Sequence, residues 1–121
     1  MTRIRLEYYD QNDGFAPCLP RTGIVAGRFA SSGGEEWHLI RLEEPIVYPV
    51  PIGKLFGTGR IETSHLLLRS RWVRHDIGED EKTSVFILLV EPSQLPLTSP
   101  LRIDEYRHVA WGMCHTIGNT A

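Results

Sequence analysis

The sequence predicts an all-β, mostly antiparallel domain, a small barrel or sandwich of six to seven strands with at most one short helical turn. Three observations point there. Apolar residues recur mainly with period two, the mark of strands that bury one face. The eight prolines fall in three groups, Pro17 and Pro20, then Pro45, Pro49 and Pro51, then Pro92, Pro96 and Pro100. Proline lacks the amide a central strand needs, so these groups punctuate the chain. No heptad, internal repeat or low-complexity tract appears, which sets aside coiled coils and solenoids. The length of 121 residues fits one domain over residues 1–121.

In the first element, Ile4, Leu6 and Tyr8 point one way and Arg3, Arg5 and Glu7 the other. This is a half-buried strand and a natural edge strand. Residues 11–21 hold Asn12-Asp13-Gly14 and two prolines and read as a loop. A second strand runs from Gly23 to Ala30, Ser31-Ser32-Gly33-Gly34 turns the chain, and Trp37 to Leu42 returns as the other arm of a hairpin. Ile46 to Val50 forms a shorter strand whose prolines place it at an edge or outside the sheet. Gly53, Gly57 and Gly59 mark a loop. Arg60 to Trp72 then runs without Gly or Pro, long enough for a strand to bend or bulge.

The polar, acidic stretch from Arg74 to Lys82 makes a hairpin loop. Ser84 to Val90 is apolar at every position after the serine, as in a central strand covered on both faces. Ser99 followed by Pro100, with Asp104 and Glu105 beyond, predicts a helical turn over residues 100–105. A last strand follows, in which Val109, Trp111, Met113 and Ile117 alternate with the smaller Ala110, Gly112, Cys114 and Thr116.

Thirteen Lys plus Arg against fifteen Asp plus Glu give a formal charge of −2, so a broad nucleic-acid surface is not expected. The longest apolar run, Val85 to Val90, falls far short of the roughly 20 residues of a transmembrane helix. The N-terminus shows no apolar signal segment, so a cytoplasmic location is the expectation. Cys18 and Cys114 lack zinc-ligand or CxxC spacing and are read as free thiols. His108 and His115, seven apart, face opposite sides of one strand, and no metal or cofactor is expected. Catalytic pairs are equally poor. Residues adjacent in a strand face apart, which separates Cys114 from His115, Ser64 from His65 and His75 from Asp76, and no nucleophile elbow is present.

Two constellations remain. If Leu66 to Arg74 begins as a strand, His65, Arg69 and Arg71 share a face with Leu67, while Leu66, Leu68 and Trp72 take the other. Turned back by the acidic loop, Arg69 and Arg71 then lie beside Ile87 and Leu89 or beside Phe86 and Leu88. On a partly apolar wall, two arginines suit a carboxylate or phosphate ligand. The competing expectation is routine cross-strand ion pairing with Glu43, Glu44, Glu62 or Glu91. The second constellation is the glycine loop from Gly53 to Arg60. It departs from a phosphate-binding loop because Lys54 comes first, but Leu55 and Phe56 at its tip offer a partner contact.

The expected function is therefore a non-catalytic accessory domain that binds a protein partner or copies of itself. The alternative is a small-molecule site for an anionic ligand on the arginine pair, with or without catalysis. Within the near-zero balance, Arg69, Arg71 and Arg74 stand just before Asp76, Glu79, Asp80 and Glu81, a basic strand beside an acidic loop.

Overall fold

Alternating side chains can fill the inside of a closed sheet only if every strand keeps its phase or corrects it with a bulge. The computed structural model, which describes residues 2–7, 20–51, 58–70 and 83–119, shows both devices. Its strands are β1 (Thr2–Glu7), β2 (Arg21–Ala30), β3 (Glu36–Pro51), β4 (Thr58–Ser70), β5 (Thr83–Val90) and β6 (Arg107–Asn119). Each pairs antiparallel with the next, and β6 returns to β1, closing a six-stranded barrel. No helix of the described residues is long and apolar enough to cross a membrane.

Closure corrects one expectation. β1 is not an edge strand, because it pairs with β2 on one side and β6 on the other. Its facing is as expected: Ile4 and Leu6 are fully buried inside the barrel, and Arg3, Arg5 and Glu7 point out. With them inside lie Ile40, Leu42, Ile46, Leu66, Leu68, Val85, Ile87, Leu89 and Cys114. The inner face of β6 carries its small residues, Gly112 and Cys114, whereas Ile117 is exposed.

A second apolar layer sits outside the barrel. Trp37, Leu67, Leu88 and Val90 are buried on the outer face beneath Leu97 and Leu101. Those two belong to the connection from Glu91 to Tyr106, which crosses the wall as a strap. This explains why β5 is apolar at every position after Ser84: Val85, Ile87 and Leu89 fill the inside while Leu88 and Val90 lie under the strap. In β2 a register shift between Val25 and Gly27 changes the phase, so Val25 packs on the inner layer and Phe29 on the outer.

The expected strands Trp37–Leu42 and Ile46–Val50 are one strand, β3. Opposite β4, Arg41 pairs with His65 but Ile46 pairs with Thr63; Leu42 still faces the core and pairs with Gly23, and Glu43 to Pro45 form the exposed part of the bulge. The irregularity expected in the long β4 segment therefore lies in its partner. Beyond it, residues 46–51 and 58–63 pair, among the described residues, only with each other, as a two-stranded ribbon that tolerates Pro49 and Pro51. Where β5 leaves β4, the buried Thr63 hydroxyl donates to the Val90 carbonyl and accepts the His65 amide at 3.1 Å.

The strap contains two single 3-10 turns, Pro92–Gln94 and Ile103–Glu105, the second where a helical turn is expected. Ser99 does not cap it; the Ser99 hydroxyl accepts the Ala30 amide at 3.3 Å. Gln94 braces the first turn, its Oε1 accepting the Glu91 amide and its Nε2 donating to the Glu105 carbonyl, both at 2.9 Å. Leu101 then ties the strap to the β2–β3 turn, donating to the Ala30 carbonyl at 2.8 Å and accepting the Ser32 amide at 2.9 Å. In that turn Gly34 has a φ of 92°, a conformation other residues adopt only with strain.

Candidate functional site

β3 pairs with β4 so that His38 faces Leu68, and the next position along brings Trp37 beside Arg69. β4 pairs with β5 so that Arg69 faces Phe86. Three neighbouring strands thus place an indole, a guanidinium and a phenyl ring side by side on the outer wall. The β2–β3 turn, Ser31 to Glu35, and the strap residues Ile103 and Asp104 wall in this spot, making an open cleft of about 380 Å³.

Arg69 occupies the centre. Its guanidinium carbon lies 5.1 Å from the centre of the Phe86 ring and 5.6 Å from that of Trp37, within cation–π range of both. Among the described residues its ion-pair partner is Glu35, whose Oε1 is 3.9 Å from Arg69 Nη1, too long for a hydrogen bond. Arg69 Nε is buried and makes no hydrogen bond among the described residues. Both rings are therefore within cation–π reach of the guanidinium, whose donors make no hydrogen bond among the described residues. Trp37 is buried too, and its indole N–H has no hydrogen-bond partner among the described residues.

Glu35 is fixed by the turn itself. Its carboxylate accepts the hydroxyl of buried Ser31, and its amide donates to Ser31 Oγ at 3.2 Å. The Ser31 hydroxyl first and then a backbone hydrogen bond lower the Glu35 carboxyl from its ordinary pKa; burial opposes them, and the Arg69 charge is the smallest contribution in the lowering direction. Among the described residues the cleft is lined by one guanidinium, Arg69, and two carboxyl groups, Glu35 and Asp104.

The predicted site residues separate. Arg69 lies in the cleft on the same face as Leu67, opposite Leu66 and Leu68, and beside Phe86 rather than Ile87. His65 shares its strand but stands four residues away, about 13 Å along an extended chain, and does not line the cleft. Burial, with the Arg41 charge opposite, pushes the His65 imidazole below its ordinary pKa. Arg71, and the tip residues Leu55 and Phe56, lie outside the described residues.

The counterions expected for Arg69 are also corrected. Its partner is Glu35, which is none of Glu43, Glu44, Glu62 and Glu91, and Glu43 bonds Arg3 at 2.7 Å instead. Glu35, Trp37, Ile103 and Asp104 escaped sequence reasoning. The hairpin signal that set β3 against β2 held part of the answer, because pairing β3 next with β4 brings Trp37 to Arg69.

Elsewhere, burial pushes the Cys114 thiol up to about 12, so it is no nucleophile at neutral pH. Among the described residues, no three His, Cys, Asp or Glu side chains are grouped to hold a metal ion. No family model, curated protein or solved structure matches this chain.

Proposed function

We propose that this chain is a binding domain whose ligand site is the outer-wall cleft, with Arg69 receiving a carboxylate or phosphate group. One observation supports the reading: a guanidinium within cation–π distance of both Trp37 and Phe86 whose N–H donors make no hydrogen bond among the described residues. Planar anions bind guanidinium along its edge with two parallel hydrogen bonds. The two neighbouring rings also restrict the group before a ligand arrives, which lowers the ordering cost of binding. The 3.9 Å pair with half-exposed Glu35 is too loose and too wet to be the reason Arg69 is there.

The test is calorimetric titration and thermal shift with a panel of small carboxylates and phosphates. A binder raises the melting temperature of the wild type by mass action. Arg69→Gln abolishes that rise, and Arg69→Lys, which keeps the charge but loses the planar fork, weakens it at least about tenfold. Binding retained in Arg69→Gln, or no binder in the panel, overturns the reading.

The β3–β4 ribbon favours a second reading, association with a protein partner or another copy. Val47 on the ribbon is 46% exposed, and the ribbon leads to the segment holding Leu55 and Phe56. Light scattering of Val47→Lys against the wild type tests it; a monomer at all concentrations in both removes self-association.

A further inference from the structure

The anion reading leaves the charge of the cleft unbalanced. A ligand that brought only negative charge to Arg69 meets Glu35, whose Oε1 is 3.9 Å from Arg69 Nη1, and Asp104 on the strap side. Like charges brought that close disfavour the complex unless something neutralises them. The hydrogen bonds between Ser31 Oγ and the Glu35 carboxylate and amide keep Glu35 oriented in the turn beside Arg69.

We infer that the ligand is zwitterionic, an α-amino acid with an apolar side chain, its carboxylate on Arg69 and its ammonium on Glu35. This rests on the cleft being the ligand site. Two opposite protein charges stand side by side but too far apart to bond each other, and an α-amino acid carries the complementary pair separated by a single carbon. One molecule thus answers both charges at once, each through a charge-assisted hydrogen bond. The remaining wall is apolar: the Trp37 and Phe86 rings and Ile103 offer the side chain a surface already packed on the outer hydrophobic layer. A cleft of about 380 Å³ lies within the usual range for small-molecule sites.

Three probes titrated into the wild-type protein near neutral pH separate this inference from its premise: L-leucine, isocaproate, which is leucine without its ammonium, and isopentylamine, which is leucine without its carboxylate. L-leucine binds saturably, and each half-ligand binds at least about tenfold more weakly. Glu35→Gln removes the preference for leucine over isocaproate, whereas Arg69→Gln abolishes binding of both acids. Isocaproate binding as tightly as leucine overturns the zwitterion and leaves the anion site standing. No binding by either acid to the wild type overturns the zwitterion and leaves the anion site to be decided by the carboxylate and phosphate panel; binding unaffected by Arg69→Gln overturns both.

Discussion

At the scale of single residues, three side chains have environments that fix their protonation. His65 is held below its ordinary pKa of 6.5 by burial and then by Arg41, so the folded chain takes up its proton later than the unfolded chain on acidification. Stability is then full above pH 6.5 and falls as the pH drops from there toward the lower folded value. Glu35 acts in a more acid window. Its folded pKa is depressed from 4.5, so its contribution is present above that pH and lost as the pH falls through the folded value. Urea midpoints followed across both windows test the assignment: His65→Gln flattens the upper decline only, and Glu35→Gln the lower only. The same decline in both variants as in the wild type contradicts it. Cys114 is 1% exposed, with its thiol pushed up to about 12. In a Cys18→Ser background, an alkylating reagent at pH 8 labels it only as fast as the chain unfolds; prompt labelling of native protein refutes that burial.

At the scale of elements, legibility follows how local the determining physics is. β1 and β5 are plain in the sequence because alternation in one and a continuous apolar run in the other are set by nearest neighbours. β3 is not, because Pro45 reads as a stop when it marks a bulge, and only pairing with β4 shows that the strand continues to Pro51. Arg69 was legible by parity, and Phe86 as one of two registers. Glu35, Ile103 and Asp104 were not, since they reach the cleft through a turn and a strap whose docking is long-range. Close approach between elements is equally hidden. A Cβ built on Gly23 in β2 stands 2.7 Å from the Arg41 carbonyl oxygen and 2.8 Å from Ile40 Cγ2 in β3. The first is backbone and has no room to give, so Gly23→Ala lowers stability by about 1–3 kcal/mol, the range for overpacked sites. An unchanged urea midpoint shows that β2 and β3 are not so close there.

At the scale of the whole molecule, the barrel wall is shared by two hydrophobic layers, because successive residues of β4 and β5 face opposite sides: Leu66 and Leu68 inward, Leu67 outward. The inner layer closes the barrel. The outer layer docks the strap, and with it Ile103 and Asp104, against the cleft. Destabilisation and loss of binding are therefore separable by choice of layer. Ile4→Ala inside and Leu101→Ala under the strap each remove a fully or almost fully buried side chain and each cost about 2–5 kcal/mol. The consequences for the cleft differ. Leu101 makes two backbone hydrogen bonds to the β2–β3 turn, so a cavity beneath it loosens the strap and the turn that carries Glu35 together. Leu101→Ala accordingly weakens L-leucine binding at temperatures where the protein remains folded, while Ile4→Ala, matched in stability, leaves affinity unchanged. Calorimetric titration of both variants well below their midpoints decides it. Equal affinities in the two variants mean that the strap is a cover for the outer layer and contributes nothing to the site.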